Sequence, residues 1–192
     1  DLGLQICLPN CMRVNAGSIV QMVNERNDRG MAPLKEMKLH NIYGLETEHL
    51  ESLLSMMSYL HTTIKPRYYH QPHEVYSSDG RAIDVEVCPK CSNVRLVYDC
   101  TRERCRQKQE CRGCILCVLR CVECGICMEE DECEETLCHD NVCLKCWLKL
   151  SKCGECNRPE CSRHANWMSD IVFVCDECSN SSWDETRVMF DL

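Results

Sequence analysis

The chain has 192 residues, 21 cysteines and a formal charge of −8. The negative balance argues against sequence-independent nucleic-acid binding, which rests on neutralised phosphates. No run of about 18 apolar residues occurs, so no segment reads as a membrane-spanning helix. Nineteen of the cysteines fall between Cys88 and Cys178, and only Cys7 and Cys11 lie outside. That asymmetry separates two regions before any motif is read.

Residues 1–64 read as leucine-rich-repeat units built on a period of 31. Ile6, Leu8, Cys11, Val14, Ile19, Met22 and Val23 return as Met37, Leu39, Ile42, Leu45, Leu50, Leu53 and Leu54, apolar in both copies. Each copy opens with strand-like alternation and passes into helical spacing, with Leu50 to Met57 as the buried stripe of a second helix capped by Thr47. Two such units bury their faces only on neighbours, so they read as the last units of a longer solenoid with its upstream part absent.

Residues 65–84 read as a linker. Pro66 to Arg81 contains two prolines, a Ser-Ser-Asp-Gly turn, and His70 and His73, which have no partners at ligand spacing and read as loop histidines.

Residues 85–180 read as a cysteine-rich multi-zinc domain. Scarce Phe and Trp leave a thin apolar core there, and small cores need staples. Repeated CxxC pairs favour metal over disulfide, because two thiolates on one tight turn can share a tetrahedral ion. Zinc in turn implies a reducing compartment, nuclear or cytoplasmic. The candidate ligands are Cys88, Cys91, Cys100, Cys105, Cys111, Cys114, Cys117, Cys121, Cys124, Cys127, Cys133, Cys138, His139, Cys143, Cys146, Cys153, Cys156, Cys161, His164, Cys175 and Cys178. At four per closed site these 21 residues accommodate about five zinc ions with one residue spare.

The spacing suggests some pairings. Cys161 and His164 would join Cys175 and Cys178, delivered by a strand over Ile171, Val172, Phe173 and Val174. Cys124 and Cys127 would join Cys143 and Cys146, and Cys138 or Cys133 with His139 would join Cys153 and Cys156, in the order of a RING-type cross-brace. The eight cysteines from Cys88 to Cys121 supply two further sites whose pairing the spacing leaves open, with Cys88 and Cys91 on a knuckle leading to a strand through Val94, Leu96 and Tyr98. All ligands are Cys or His, which suits closed structural sites. The basic tract Arg102, Arg104, Arg106 and Lys108 reads as a solvated face. In the tail, residues 181–192, Ser182 reads as the cap of a short helix.

Cys88-Pro-Lys-Cys91, Leu96-Val-Tyr-Asp-Cys100, Cys111-Arg-Gly-Cys114, Cys121-Val-Glu-Cys124-Gly-Ile-Cys127 and Glu134-Glu-Thr-Leu-Cys138 together resemble the C-terminal portion of plant F-box proteins of the Skp-interacting type. The first repeat similarly resembles the cysteine-containing repeat of F-box proteins, with Cys11 at the buried position. The resemblance implies an α+β chain: the last leucine-rich units of a solenoid, followed by a small multi-zinc domain. It also implies a non-catalytic substrate receptor of a Skp–cullin–F-box ubiquitin ligase, with a protein substrate and a Skp adaptor as partners. The F-box that would bind the adaptor is not in this chain. A RING-type ligase is the alternative, suggested by Ile126 between the cysteines and by Trp147 after Cys146. A zinc module for protein contacts outside ubiquitin pathways is a third reading.

Overall fold

A computed structural model of the chain describes residues 4–11, 13–57, 64–70, 80–164 and 173–185. It is a mixed α and β protein that divides into two compact units, residues 1–118 and 119–192.

The first unit opens with strand β1 (Leu4–Cys7), helix α1 (Ala16–Asp28), strand β2 (Leu34–Lys38) and helix α2 (Thr47–Met56). β1 and β2 pair in parallel, with Gln5 opposite Glu36, Ile6 opposite Met37 and Cys7 opposite Lys38. Each pair is separated by the 31 residues of the sequence period. The same offset recurs where Asn41 Nδ2 donates to Asn10 Oδ1 at 2.7 Å, and the parallel pairing extends to a bridge between Asn15 and Tyr43. β2 is bonded on its other side too: Met37 N–H donates to Ala82 O and Asp84 N–H to Met37 O. Residues 82–84, at the end of the expected linker, therefore run parallel to β2, and Ala82, Ile83 and Val85 are buried with it.

Ile19 and Val23 of α1 and Leu50 and Leu53 of α2 pack on Leu34, Met37, Leu39 and Ile42. Burying each of the larger side chains contributes roughly 1.5–3 kcal/mol. The expected stripe needs correcting at two places, since Met22 and Leu54 are exposed. α1 inserts an i, i+4 pair, Ile19 and Val23, whereas α2 inserts Leu50, Leu53 and Met57, so the two helices turn slightly different faces inward. Glu46, not Thr47, is the cap of α2; its N–H donates to His49 Nδ1 at 3.3 Å. Cys11 is only half-buried against the core.

Several buried polar groups of the stack bond to one another. Asp84 accepts from Leu39 N–H at 2.6 Å and faces His40 Nδ1 at 2.5 Å. Arg67 Nη1 donates to Asp84 O, and Arg67 N–H to Asp99 Oδ2. All three of Asp84, His40 and Arg67 are buried.

The rest of the first unit is a short antiparallel ladder, β3 (Glu86–Val87) with β4 (Val94–Arg95), followed by helix α3 (Glu103–Lys108). β4 stops at Arg95, short of the expected run to Tyr98; Tyr98 instead bridges Gly113. Arg102, Arg104, Arg106 and Lys108 are exposed on and beside α3.

The second unit has little regular structure. A 3-10 turn (Glu130–Glu132) leads into β5 (Cys133–Glu134), paired antiparallel with β6 (Val142–Cys143). Helices α4 (Leu144–Trp147) and α5 (Asp176–Glu185) complete it. Ser182 lies inside α5 and does not cap it, because the helix starts at Asp176. The expected strand near Ile171 and Val172 falls largely outside the described residues, and Phe173 and Val174 are irregular. His73 and residues 186–192 also lie outside them. No helix among the described residues is long and apolar enough to cross a membrane.

Candidate metal centres

One local structure is built three times. In Cys88-Pro-Lys-Cys91, Cys121-Val-Glu-Cys124 and Cys153-Gly-Glu-Cys156 the first cysteine N–H donates to the carbonyl five residues on (Asn93, Ile126, Arg158) at 2.9–3.0 Å. Its own carbonyl accepts from the N–H four residues on (Ser92, Gly125, Asn157) at 2.8–3.0 Å. That accepting geometry needs the residue after the second cysteine in the left-handed region, and Ser92, Gly125 and Asn157 have φ of 59°, 72° and 57°. Gly and Asn take this conformation at least cost. The result is a knuckle that presents two sulfurs to one point.

Each knuckle meets a second pair on a helical turn. Cys114 and Cys117 face Cys88 and Cys91; Cys143 and Cys146, at α4, face Cys121 and Cys124; Cys175 and Cys178, at α5, face Cys153 and Cys156. The last two sites repeat with an offset of 32 at all four positions. Within each set the sulfurs all lie within 4.8 Å of one another, with edges of 4.0 Å (Cys91–Cys114), 3.6 Å (Cys114–Cys117), 3.8 Å (Cys124–Cys143) and 3.8 Å (Cys156–Cys175). Thiolates bound tetrahedrally to zinc at about 2.3 Å lie roughly 3.8 Å apart. A disulfide would bring sulfurs to about 2 Å, and none of the cysteines is disulfide-bonded. The donor sets therefore fit zinc, with backbone N–H groups of Cys114 and Cys175 adding bonds to Cys88 Sγ and Cys153 Sγ at 3.4 Å.

Proton affinities divide within each set. Burial pushes Cys88 up, but N–H donors from Cys114, Lys90 and Cys91 outweigh it and bring the thiol down to about 6. N–H donors from Cys156 and Cys175 bring Cys153 to about 6 as well. Sulfur neighbours Cys91 and Cys114 push Cys117 up to about 12, and Cys175 does the same to Cys178. Burial and Cys124 push Cys146 upward. Four thiols at one point cannot all ionise against each other, whereas a divalent cation lets them.

The backbone around the first knuckle is close-packed. A Cβ on Gly113 would come 2.9 Å from Val118 Cγ2 and 3.2 Å from Lys90 Cγ. Arg112 binds Glu86 at 2.5 Å and Asp99 at 3.4 Å, tying the Cys114 turn to β3. Cys100, Cys105 and Cys111 also converge within the first unit, their sulfurs within 4.8 Å of one another.

The fifth set differs in composition: Cys138, Asp140, Cys161 and His164. Asp140 Oδ2 lies 3.0 Å from Cys161 Sγ and 3.2 Å from His164 Nδ1, and Cys161 Sγ lies 3.1 Å from that nitrogen. Burial, with Asp140 and Cys138 alongside, pushes the Cys161 thiol up to about 12.

Several expected pairings are thereby corrected. Cys121, and not Cys127, partners Cys124; Cys127 is bridged to Arg120 across the knuckle hairpin. Cys161 and His164 join Cys138 and Asp140, leaving Cys175 and Cys178 to Cys153 and Cys156. Among the described residues Cys133 belongs to no set, its thiol donating to Glu129 O at 3.4 Å. His139 belongs to none either. It follows Cys138 and has φ of 57°, and that turn carries the next side chain, Asp140, to the fifth set. The CxD order was the available signal. A RING-type cross-brace would return the second pair to Cys153 and Cys156; here that pair passes on to Cys161 and His164. Trp147 Nε1 donates to Glu135 O at 2.9 Å, and Lys152 Nζ sits 4.4 Å from the Trp147 ring centroid. Ile126 is half-buried.

Comparison with known proteins gives a consistent picture. Residues 84–155 match the family model of the At3g27290 F-box protein C-terminal domain. The chain is 35% identical over 152 residues to F-box protein SKIP14 of Arabidopsis thaliana, covering 74% of this chain and 34% of that protein. It is 34% identical over 185 residues to F-box protein SKIP28 of the same plant, covering 94% and 56%. F-box protein At3g27290, also from Arabidopsis thaliana, is 36% identical over 95 residues, covering 45% and 25%. The chain thus spans between a quarter and just over half of these relatives. No solved structure matches.

Proposed function

Residues 84–155 carry the C-terminal domain of F-box proteins and the chain as a whole resembles the C-terminal portions of plant members; from that footing we propose that it is the recognition end of a substrate receptor in a Skp–cullin–F-box ubiquitin ligase. The likeness to one F-box relative along 94% of the chain is the observation that carries this reading. Residues 1–64 act as leucine-rich-repeat units. The parallel pairing at an offset of 31, and a third parallel stretch at residues 82–84, support that assignment. Residues 85–180 are held by structural zinc, which supplies the stability that a thin apolar core lacks. The protein makes and breaks no bonds; it holds a substrate protein near a charged conjugating enzyme, so proximity is its contribution. Adaptor binding belongs to an F-box outside these residues. Thiolate-rich sites of this kind suit the reducing nucleus or cytoplasm.

The test uses the parent protein that contains both an F-box and this chain. Deleting residues 84–180 is expected to leave Skp adaptor binding intact and abolish ubiquitination of proteins that co-purify with the receptor. Zinc-dependent autoubiquitination by the 192-residue chain with a conjugating enzyme and no cullin would overturn the receptor reading in favour of a RING-type ligase.

A further inference from the structure

We propose that Asp140 is a zinc ligand, and that Cys138, Asp140, Cys161 and His164 form a mixed site that releases its metal before the four-thiolate knuckles of the second unit. The inference rests on the zinc reading above and goes beyond it in naming a ligand outside the Cys and His set and a rank order among sites.

The geometry brings one sulfur-rich edge and one oxygen–nitrogen edge to a point. Nitrogen and oxygen bind zinc about 0.2–0.3 Å closer than sulfur, giving ideal sulfur–oxygen edges of roughly 3.5 Å. The observed 3.0–3.2 Å edges need to open by only a few tenths of an ångström to seat an ion. Two thiolates, an imidazole and a carboxylate suit a tetrahedral, borderline-soft cation, which is zinc among the common biological metals. The loop that supplies Cys138 and Asp140 is itself fixed. Thr136, 3% exposed, donates from Oγ1 to Asp140 O at 2.9 Å and lies 3.5 Å from Cys138 Sγ. Leu137 N–H donates to Pro159 O at 2.9 Å, joining this loop to the stretch before Cys161. A ligating residue held by a buried threonine and a cross-chain backbone bond is a positioned donor, unlike a free surface aspartate.

The expected lability follows from composition and exposure. Two thiolates and a carboxylate give the cation less soft-donor bonding than four thiolates. The His164 side chain is 54% exposed and Asp140 24%, whereas Cys121, Cys143, Cys153 and Cys175 in the flanking sites are all buried. A cavity of about 750 Å³ opens beside Cys138 and His164, lined also by Leu150, Phe173 and Val174. A chelator therefore reaches this ion first. Because Cys138 and Asp140 follow the second knuckle and Cys161 and His164 follow the third, the ion fastens the two 32-residue repeats together.

The experiment measures zinc per chain by elemental analysis of the purified 192-residue protein, then release against graded chelator with a zinc-sensitive dye. Wild type is expected to release one equivalent ahead of the two held by the four-thiolate knuckles of the second unit. Asp140→Ala should lack that equivalent, Asp140→Cys should keep it and move its release into the late phase, and His139→Ala should behave as wild type. Cobalt-loaded protein gives a second readout, since Asp140→Cys adds a thiolate and raises the sulfur-to-cobalt charge-transfer band. Unchanged stoichiometry and release in both Asp140 variants would overturn the proposal. No zinc in wild type would instead remove the zinc reading on which it rests.

Discussion

Asn10 and Asn41 lie 31 residues apart, both in the left-handed region with φ of 59° and 61°, and are joined by a side-chain hydrogen bond of 2.7 Å. Each terminates a strand stretch at the same point of its repeat, where the chain turns toward a helix. Asparagine tolerates this conformation and bonds its neighbour in one residue. Asn41→Gly should therefore cost only the side-chain bond, about 1 kcal/mol. Asn41→Val adds backbone strain and should lower stability by about 2–3 kcal/mol in total. Urea unfolding followed by far-ultraviolet circular dichroism checks the ordering; equal losses would show that the left-handed geometry is not what matters there.

Asp84 closes the stack on its other side. Its carboxylate accepts from Leu39 N–H and contacts His40 with all groups buried. Truncation leaves a backbone donor and an imidazole without partners, at about 1–3 kcal/mol each. Asp84→Ala should thus destabilise the first unit by about 2–6 kcal/mol, and Asp84→Asn, which keeps an acceptor for Leu39, by clearly less. Hydrogen exchange at Leu39 is the direct probe, with protection lost in the first variant and largely kept in the second.

Much of this stack was legible in the sequence. Period and apolar pattern are local properties, and a 31-residue repeat of strand and helix translates directly into Ile6 beside Met37. What escaped reading depends on tertiary neighbours. Ile83 carries no repeat signal, yet it lies along β2 because Asp84 and Arg67 bond across the turn. Met22 and Leu54 match the period and still face water, since a small helix rotation decides which of two adjacent apolar residues enters the core. In the cysteine region the clustering of candidate donors was visible and their grouping in space was not. Spacing shows that Cys121 and Cys124 can share an ion, but Cys124 and Cys127 have the same spacing, and only the hairpin hydrogen bonds choose.

Gly113 should tolerate no side chain. Its missing Cβ leaves room for Val118 and Lys90, and it bridges Tyr98 directly before Cys114, a member of the first knuckle set. Gly113→Ala should cost about 1–3 kcal/mol through overpacking. It should also weaken metal retention at Cys88, Cys91, Cys114 and Cys117, read as earlier zinc release on titration with chelator. A variant with wild-type release and stability would mean that the valine rotates aside without consequence.

Cys133 and Cys138 offer the sharpest contrast among the cysteines, being five residues apart with opposite expected roles. Cys138 lies in a donor set; Cys133 donates to Glu129 O and belongs to no donor set among the described residues. Cys138→Ser should lower the zinc content by one ion per chain, and Cys133→Ser should leave it unchanged. Burial raises the Cys133 thiol above its usual range, with the negative charges of Glu132, Cys121, Glu130 and Asp131 adding to it. The raised proton affinity keeps this thiol neutral at pH 7, so its alkylation should be slower than that of exposed Cys7. The rate should go on climbing as pH rises through and beyond 9, the ordinary thiol value. Mass spectrometry of the zinc-loaded chain after timed iodoacetamide treatment resolves the two sites. Loss of zinc from Cys133→Ser, or complete protection of Cys133 until chelation, would make it a ligand and undo the assignment of Asp140 in its place.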